Sequence, residues 1–512
     1  MSVEAGQIGV YSEVGTLRRV LTHYPDRGIG GVIPSKAQEW LYEDIVHLKY
    51  MQKEYEYFRK ILLAYLDPEV LRQWLKKERD GLSSTLSPAS VSSPDFVPSK
   101  KVIDTEELLA EILSDHAIRL QLVASICAIE GTRHTIQTYL ADPNELTPSE
   151  LAKVFITGTL EGHTKLKDSD SGMLFAPIPN FLFTRDIGIT IGRHLLLSKT
   201  ALQSRKRESV LARYIAYYAL FKGDPDKVIE ISNNHDAFLL DAPERLSQTV
   251  TLEGGDVMMI APNHVLIGYS ERTTPHACEK VIQHLFKLKS CDIQKVSVVK
   301  LPHLRAMMHL DTVMTQVDRR TWVLFKQLVD MGLEDVRSAE IFEALGVKST
   351  KAERLAKVSQ FVRRGNAGFC EVNKDITTLK ELLMDVSCND YGCQPEEVKF
   401  IYSADGSLIH DEREQWTDSC NVTAIKEGVV LGYDRNDLTA KGFENAGFKS
   451  VCVKEVIDNL AVEIKENPEI DIAEYLAKHI PEKALLLVPS AELSRARGGP
   501  HCMTMPIERD YV

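Results

Sequence analysis

Three short apolar runs in the later part of the chain resemble one another. They span residues 194–198, 264–272 and 428–436, and in two of them a Gly-Tyr pair leads into an arginine. Apolar runs of this length that end in polar turns are typical of buried strands. From residue 171 onward such runs alternate with glycines and helical patterns, which predicts an α/β fold. The likeness of the runs indicates pseudosymmetry, although their unequal spacing makes an internal repeat a weak inference.

The length of 512 residues exceeds what one ordinary hydrophobic core supports. We therefore expect two or three domains, or one large symmetric domain with insertions. Apolar spacing predicts a short strand within residues 16–25 and helices within 40–66 and 105–161. Residues 81–101 are rich in Ser and Pro, so we predict a surface linker or disordered insertion that buries little.

These patterns divide the chain into two parts. We assign residues 1–66 and 171–512 to the α/β unit. Residues 67–170 are assigned to a helical insertion that includes the Ser-rich and Pro-rich stretch. Residues 332–407 contain no motif that points to chemistry, and residues 454–481 carry a helical pattern that is a candidate for an oligomer interface. Both stretches are candidates for a role in assembly or regulation.

The overall charge limits the classes of partner. A net charge of −12 and a pI near 5.7 argue against a nucleic-acid-binding surface. The first residues lack the basic start and apolar run of a secretory signal, and no stretch is long enough to span a bilayer. Nine cysteines form no CxxC pair and show no zinc-ligand spacing. We expect a cytoplasmic enzyme with free thiols, no nucleic-acid or membrane partner and no cysteine-based zinc site.

A cysteine in the last part of the sequence lies in an unusual local context. Cys502 follows a glycine pair and His501, with Arg495 and Arg497 upstream. Adjacent glycines let the backbone bend sharply and lie against a ligand, and nearby positive charge favours a thiolate over a thiol. Cys502 is therefore a candidate nucleophile. On this segment alone, a buried and inert cysteine on a terminal strand is an equally good interpretation.

Three further segments concentrate polar side chains. Residues 180–186 read as the end of a strand, whose period of two sends Asp186 to one face. Residues 253–256 place two carboxylates around a pair of glycines, and His309 and Asp311 share one face of a predicted strand. Taken one at a time, a surface salt bridge, a plain hairpin turn and a satisfied histidine explain these segments as well.

Together the segments supply the parts needed to act on a guanidinium group. That cation is planar and has five donors, so paired carboxylates hold it best. A thiolate can attack its central carbon while carboxylates localise the charge and a histidine protonates the departing nitrogen. Water activated by the same histidine then hydrolyses the thiouronium adduct. A metal hydrolase that uses His309, Asp311 and Cys502 stays open as an alternative.

The order of motifs along the chain resembles that of an arginine deiminase of the guanidino-group-modifying, or pentein, superfamily. The Arg-Gly-Gly-Pro-His-Cys-Met block at residues 497–503 is the most specific part of the resemblance. The matching segments are residues 10–15, 20–21, 180–186, 253–256, 270–273, 308–315, 413–418, 429–436 and 494–507. The turn at residues 23–31 departs from the family pattern, so the role of that turn is open.

The resemblance implies a role for each candidate at the reacting group. Cys502 would be the nucleophile and His309 the general acid and base, with Glu253 beside it. Asp186 and Asp311 would grip the guanidinium group. The resemblance implies neither a metal ion nor an organic cofactor.

Four further contacts are implied for the amino-acid end of the substrate. Arg205 and Arg272 match the pair that binds the substrate carboxylate, and Asn180 matches a polar contact. Arg497 matches a gating arginine that moves when substrate enters. The plain alternatives are solvated helix charges and, for Arg272, an ion pair with Glu271.

The reaction implied by the resemblance is the hydrolysis of L-arginine to L-citrulline and ammonia. The implied fold is a five-bladed α/β propeller with a helical insertion, assembled into dimers or larger homo-oligomers. Within the superfamily, an amidinotransferase and a methylarginine hydrolase are rivals; a peptidylarginine deiminase would need acidic calcium sites, for which the sequence shows no EF-hand-like pattern. A rival from another class is a non-catalytic arginine-binding protein, which would have no use for the nucleophile.

Overall fold

Strands and helices alternate along most of the chain in a computed structural model, which describes residues 8–37, 39–40, 42, 44–160, 173–233, 249–330, 358–365, 368–372 and 375–512. The fold is α/β, as the sequence predicts. The last ten residues of the predicted helical insertion and the first part of the stretch over 332–407 lie outside the described residues.

The strands and helices have the following bounds. The strands are β1 (Leu17–Thr22), β2 (Val102–Asp104), β3 (Gly188–Ile191), β4 (His194–Leu197), β5 (Val228–Ile229), β6 (Val257–Ala261), β7 (His264–Tyr269), β8 (Lys295–Lys300), β9 (Met314–Asp318), β10 (Thr321–Leu324), β11 (Val358–Arg364), β12 (Gly368–Val372), β13 (Lys399–Tyr402), β14 (Thr423–Lys426), β15 (Val429–Tyr433), β16 (Lys449–Cys452), β17 (Ala484–Val488) and β18 (Met505–Arg509). The α-helices are Arg27–Gly30, Leu48–Leu66, Pro68–Asp80, Thr105–Ile112, His116–Glu130, His134–Ala141, Pro148–Thr157, Thr184–Ile187, Lys206–Ile215, Pro275–Lys287, Lys326–Asp330, Leu379–Asp385, Leu408–Trp416, Asp437–Asn445, Val453–Glu466 and Ile472–His479. Short 3₁₀ turns are Pro34–Lys36, Pro179–Leu182, Gln203–Arg205, Pro225–Lys227, Gly254–Asp256, Arg305–Met307, Leu310–Thr312, Pro395–Glu397, Ser403–Gly406 and Leu493–Ala496, and π-helical turns are Ala216–Leu220 and Val386–Asp390.

Five sheets share one building unit. In each, a middle strand pairs antiparallel with a first strand and parallel with a third. The units are β3-β4-β5, β6-β7-β8, β9-β10-β13, β14-β15-β17 and β18-β1-β2. The three similar apolar runs of the sequence form β4, β7 and β15, which are middle strands of their units. Their likeness therefore reflects equivalent places in a repeated structure.

The middle strands are buried because neighbours cover them. Along β7 and β8 the parallel register runs from His264 opposite Lys295 to Tyr269 opposite Lys300. Every residue of β15 is buried, and in β7 only the last residue is partly exposed. Strands that are covered on both faces read as continuous apolar runs rather than alternating ones, which is why these segments are prominent in the sequence.

The helices between residues 105 and 157 pack onto the first of the later units. Leu108, Leu122 and Phe155 lie in one apolar cluster with Leu195 of β4 and Leu211 of the helix Lys206–Ile215. The short strand β2 immediately before these helices pairs parallel with β1. The helical region is thus connected to the sheets through both its core and one strand.

The Ser-rich and Pro-rich stretch over residues 81–101 buries more than the sequence predicts. Ala89 is fully buried, and Val97 and Asp95 are buried as well. The Asp95 carboxylate accepts hydrogen bonds from the Ser83 backbone and hydroxyl, and the Ser93 hydroxyl donates to the Leu86 carbonyl. Part of this surface stretch is therefore buried, because these short polar side chains satisfy the backbone of a compact irregular segment.

The stretch over residues 454–481 forms two helices, Val453–Glu466 and Ile472–His479. Leu460 and Leu476 lie in the same apolar cluster as Phe58 of the long helix Leu48–Leu66. Their apolar faces therefore pack inside this chain.

None of the described helices could cross a membrane alone by length and composition. Thr105–Ile112 and His116–Glu130 meet that test only as a pair, and the pair is bent by 115°.

Candidate active site

Each of the five strand units places one polar residue of the candidate site at an equivalent position. A polar side chain lies shortly ahead of the first strand of each antiparallel pair. These residues are Asp186 before β3, Glu253 before β6, Asp311 before β9, Asn421 before β14 and Cys502 before β18. All five are buried. The repeated unit thus brings side chains that are far apart in sequence to one place.

One cavity collects nearly all the residues named from the sequence. Its lining includes Asn180, Asp186, Arg205, Glu253, Arg272, His309, Arg497 and Cys502. The remaining candidate, Asp311, is fully buried behind the cavity wall and accepts a hydrogen bond from the Cys502 thiol at 3.4 Å.

The local structure of two segments differs from the prediction. Residues 180–186 end no strand, because Pro179–Leu182 is a 3₁₀ turn and Thr184–Ile187 a single helical turn. His309 is extended, but Leu310–Thr312 forms a 3₁₀ turn rather than a strand. Residues 253–256 contain the 3₁₀ turn Gly254–Asp256, so the two carboxylates flank a turn as predicted. Tight turns send successive side chains in different directions, and this is how the chain aims single residues into the cavity.

Cys502 is held by the side chain of Asn421. The Asn421 amide nitrogen lies 3.1 Å from the Cys502 sulfur, and its oxygen accepts a hydrogen bond from the Cys502 backbone at 3.0 Å. The same amide nitrogen donates to the Asp311 carbonyl at 3.0 Å. Asn421 therefore links the thiol to the segment that carries the aspartate.

His309 lies among carboxylates. Its Nε2 is 2.9 Å from Glu253 Oε2, and its Nδ1 is 3.8 Å from Asp186 Oδ1. Burial alone would lower the pKa of His309, but Asp186 and Glu253 outweigh it and raise that pKa to about 9. His309 is therefore an imidazolium at neutral pH, which is the state of a general acid.

Gly255 packs closely against both His309 and Asp311. A Cβ at Gly255 would lie 2.9 Å from His309 Nδ1 and 3.0 Å from Asp311 Oδ1. Contacts this short are not found for real Cβ atoms, so only glycine lets this turn lie against both side chains.

Asp311 is positioned from behind by a buried polar chain. Its Oδ2 is 2.9 Å from His501 Nδ1, and His501 Nε2 is 3.3 Å from Glu13 Oε2. Arg185 donates two hydrogen bonds to Glu13 at 3.3 Å. Burial would raise the pKa of Asp311, but His501 outweighs it and lowers that pKa. In Asp186, by contrast, burial prevails and raises the pKa of the carboxyl group.

Asp186 and Asp311 each have one carboxylate oxygen that accepts no hydrogen bond from the part of the chain that the structure describes. These atoms are Asp186 Oδ1 and Asp311 Oδ1, and both are buried. A buried acceptor without a donor is costly unless a ligand satisfies it. The pair is therefore suited to a planar cation with several N–H donors.

The two arginines matched to the substrate carboxylate differ in their surroundings. Arg205 Nη1 donates to Asp186 Oδ2 at 3.0 Å and to Glu253 Oε2 at 2.9 Å. Its Nε donates to Glu208 at 2.9 Å. Arg272 lies 4.0 Å from Glu253 and 3.8 Å from Glu271. Neither is a solvated surface charge, since both are buried.

Asn180 and Arg497 lie at the rim of the site. The Asn180 amide nitrogen donates to the Trp40 carbonyl at 2.9 Å. Arg497 has left-handed backbone (φ 63°), and its guanidinium carbon is 3.4 Å from the centre of the Trp416 ring. The same guanidinium donates to the Trp416 carbonyl. Arg497 lines both the catalytic cavity and a neighbouring one that contains Arg435 and Arg495.

The prediction that nearby positive charge favours a thiolate was wrong. Burial raises the pKa of the Cys502 thiol well above its ordinary range, and Asp311 and Asp186 raise it further. Arg497 lies over Trp416, and His501 is turned toward Asp311.

Asp186, Glu253 and His309 also form a group that could hold a metal ion, with ligand atoms within 4.8 Å of one another. Two features make them a poor fit. Arg205 already donates to both carboxylates. In addition, His309 is protonated, whereas a metal ligand must be a neutral imidazole. The donor set suits an organic cation better than a divalent ion.

Sequence reasoning missed several residues that build the site. Asn421 contacts the sulfur, and Glu208 contacts Arg205. Asp256 accepts hydrogen bonds from the Leu310 backbone and the Ser270 hydroxyl, and so fixes the segment after His309. A signal for Asn421 was available, because it precedes the strand pair whose middle strand is one of the three similar apolar runs.

Comparison with known proteins agrees with this geometry. The arginine deiminase family model matches residues 101–509. An arginine deiminase from Borrelia recurrentis (strain A1) is 28% identical over 526 residues, which cover 99% of this chain and 98% of that protein. An arginine deiminase from Staphylococcus haemolyticus (strain JCSC1435) is 26% identical over 525 residues, which cover 99% of both.

A solved structure of an amidinotransferase from Microseira wollei, of the saxitoxin biosynthetic pathway, shares 12% identity and a TM-score of 0.46 over 99% of this chain and 98% of that one. We draw no conclusion from so distant a likeness. The family model, in contrast, extends over most of the sequence. This chain belongs to the arginine deiminase family.

Proposed function

We propose that this protein hydrolyses L-arginine to L-citrulline and ammonia through a covalent intermediate on Cys502. One observation carries the proposal. The Cys502 thiol shares a cavity with a protonated His309 and with Asp186, and it contacts Asp311 behind the cavity wall. Asp186 and Asp311 are both buried, and each has an oxygen without a hydrogen bond from the described residues. A family name alone would not assign these roles.

Binding of the guanidinium group comes first. Asp186 and Asp311 accept its N–H donors through their unused oxygens, in the paired manner that suits this cation. The cation then lies beside the Cys502 sulfur, since Asp311 contacts both. Its charge lowers the pKa of the thiol, which offsets the effect of burial.

Attack and loss of ammonia follow. The Cys502 thiol passes its proton to water, and the thiolate sulfur forms a bond to the central guanidinium carbon, whose carbon–nitrogen π electrons move to nitrogen to give a neutral tetrahedral adduct. His309 donates its proton to one terminal nitrogen, the carbon–nitrogen bond breaks, and ammonia leaves. The carbon remains bonded to sulfur as a thiouronium group.

Hydrolysis completes the cycle. His309 is now neutral and takes a proton from water, and the resulting hydroxide attacks the thiouronium carbon. The carbon–sulfur bond breaks with its electron pair going to sulfur, the hydroxyl proton passes to the Cys502 thiolate, and the neutral ureido group of citrulline is released. Glu253 stays hydrogen-bonded to His309 throughout and stabilises its cationic form.

Arg272 supports free arginine as the substrate. It lines the cavity, and its Nε donates no hydrogen bond to the described residues. A buried guanidinium with an unused donor suits the carboxylate of an amino acid. Arg272→Ala should therefore lower kcat/KM for arginine and change kcat/KM for agmatine, which lacks the carboxylate, far less. Equal losses for both substrates would contradict this role.

The finer architecture is part of the same proposal. Five equivalent units support a five-bladed α/β propeller: three of them deliver Asp186, Glu253 and Cys502 to a shared cavity, and the other two place Asp311 and Asn421 in contact with Cys502. Residues 1–66 and 171–512 would form it, with residues 67–170 as the helical insertion. A cytoplasmic homo-oligomer that needs no metal or organic cofactor completes the proposal.

The deciding experiment is an assay of the purified protein with arginine, agmatine, methylarginine and an arginyl peptide. Citrulline and ammonia in equal amounts from arginine, with slower or no reaction of the others, are expected. Arginine binding without ammonia release would indicate a binding protein. Ammonia release that requires a metal ion would contradict the mechanism.

A further inference from the structure

A second cavity lies at the other end of the strands from the candidate active site. Asp186 comes before β3 and residues 192–193 come directly after it, so the two lie at opposite ends of that strand. Glu253 before β6 and Pro262 after it are related in the same way. Both turns line a cavity of about 270 Å³, whose lining shares no residue with the catalytic cavity.

Two opposite charges line this cavity without forming an ion pair. Arg193 Nε donates to the Tyr11 hydroxyl at 3.3 Å, and no acid of the described residues lies within ion-pair distance of its guanidinium group. The Asp292 carboxylate, in the same lining, likewise pairs with no base in the part of the chain that the structure describes. Opposite charges that share a cavity but do not meet are complementary to a ligand that carries both charges.

A buried histidine in the same cavity has an unused ring nitrogen. His194 is almost fully buried, and its Nε2 lies 2.9 Å from the Ser290 hydroxyl oxygen. Its Nδ1 is buried and has no hydrogen bond with the described residues. Burial lowers the pKa of His194, so the ring is neutral at pH 7. With the Ser290 hydroxyl as donor to Nε2, the ring proton is on Nδ1, and a buried donor of this kind is costly unless a ligand accepts from it.

We propose that this cavity is a second, non-catalytic binding site for an α-amino acid. Arg193 and the Nδ1 proton of His194 bind the carboxylate of the ligand, and Asp292 binds its ammonium group. Pro262 and Ile293 also line the cavity, which suits an apolar side chain. A water molecule occupies roughly 30 Å³, so the cavity has room for roughly nine non-hydrogen atoms, as many as leucine has. The inference is independent of the proposed function, because the two cavities have separate linings.

Three related molecules separate the two charged contacts. We would measure Kd by calorimetry for L-leucine, for 4-methylpentanoate, which lacks the ammonium group, and for 3-methylbutylamine, which lacks the carboxylate. Leucine should bind about tenfold more tightly than either of the others, the effect of one hydrogen bond to a charged group. Absence of leucine binding, or equal binding of all three molecules, would overturn the inference.

Variants at the two charges should affect the three molecules differently. Arg193→Met should weaken leucine and 4-methylpentanoate about tenfold and leave 3-methylbutylamine nearly unchanged. Asp292→Asn should weaken leucine and 3-methylbutylamine and leave 4-methylpentanoate nearly unchanged. Both side chains are exposed, so neither substitution should prevent folding. Arg320→Met is the matched control, since it removes the same charge from an exposed arginine outside the cavity. An equal loss of leucine binding in Arg320→Met would overturn the inference, because net charge alone would explain it.

A second control tests whether leucine binds in the catalytic cavity instead. Arg272→Met removes an arginine from that cavity and should leave leucine binding unchanged. Loss of leucine binding with Arg272→Met but not with Arg193→Met would place leucine in the catalytic cavity and overturn the inference. Because all these readouts are binding at a separate site, failure of the wild-type protein to make citrulline would refute the proposed function alone.

Discussion

Two buried histidines in this molecule have similar partners but different surroundings. His309 contacts Glu253 at 2.9 Å. His264 contacts Asp390 through Nδ1 at 2.6 Å and the Ser297 hydroxyl through Nε2 at 2.8 Å. The second cluster has the serine, histidine and aspartate of a hydrolase triad. His309 lines the cavity that also contains Cys502.

The difference lies in access and in charge. Ser297 is fully buried inside the sheet, where it faces Leu266 of β7, so no substrate can reach its hydroxyl. Burial lowers the pKa of His264, and Asp390 does not reverse this because Lys295 also pairs with it at 2.7 Å. His309 faces several carboxylates and its pKa rises to about 9. A serine–histidine–aspartate arrangement therefore does not indicate catalysis by itself. Buried acceptors without hydrogen bonds and a cavity beside them are the better indicators.

The largest expected effect is the difference in kcat between a variant at Cys502 and a variant at Ser297. Cys502→Ser should lower kcat roughly 10⁴-fold or more, because a serine hydroxyl is far less acidic than a thiol. Ser297→Ala should leave kcat near the wild-type value. Steady-state ammonia release measures both. Near-normal turnover by Cys502→Ser would remove the covalent mechanism.

The second largest expected difference is between the His309→Gln and His264→Gln variants. His309→Gln should reduce kcat by about 10²–10⁴-fold, the usual contribution of a general acid and base. His264→Gln should instead lower the free energy of unfolding by about 1–3 kcal/mol through its lost buried hydrogen bonds. Parallel kinetics and thermal melts test this. A large kinetic defect with an unchanged melting temperature in His264→Gln would put that cluster in the mechanism.

Asn421 should have a smaller but specific effect. Asn421→Ala removes both contacts to Cys502 and the contact to the Asp311 carbonyl. We expect kcat to fall about 10–100-fold from the misplaced sulfur. Trapping of the cysteine by a guanidine-based alkylating reagent should slow in parallel. Unchanged kinetics would mean that the glycine-rich segment positions the thiol by itself.

The smallest expected effect is on the pH dependence of stability. The raised pKa of His309 contributes stability that is complete below about pH 6.5 and is lost as pH rises through about 9. His264 has a lowered pKa, so its contribution is complete above about pH 6.5 and falls as pH drops through its folded value. Differences in unfolding free energy between wild type and each Gln variant should therefore change with pH in opposite directions, by at most about 1.4 kcal/mol per pH unit. Slopes of the same sign would contradict the assignment.

The parts that could be predicted from the sequence are those with a local signal. Cys502 stands in a rare glycine-rich block, and β7 and β15 are continuous apolar runs. Asn421 was missed because one asparagine after Ser419 and Cys420 has no local pattern, and only the repeat of strand pairs gives its position meaning.

Contacts between distant parts of the chain, and the conformation of short turns, could not be predicted from local sequence patterns. Arg205 meets Asp186 and Glu253 across distant parts of the chain, and no spacing encodes that contact. The predicted strand around His309 was wrong because five residues that alternate in polarity fit a tight turn equally well.

The pairing of β1 with β18 has a consequence for how the enzyme is made. Leu21 lies opposite Met505. The sheet that contains β18, the strand just after Cys502, therefore joins residues almost five hundred positions apart in the sequence. During synthesis on the ribosome, β1 emerges early and must wait for a partner that emerges late. Contacts of such long range form slowly. The sulfur therefore meets its acids only after the strands of all five units have been translated, and a nascent chain that still lacks β18 has no complete site.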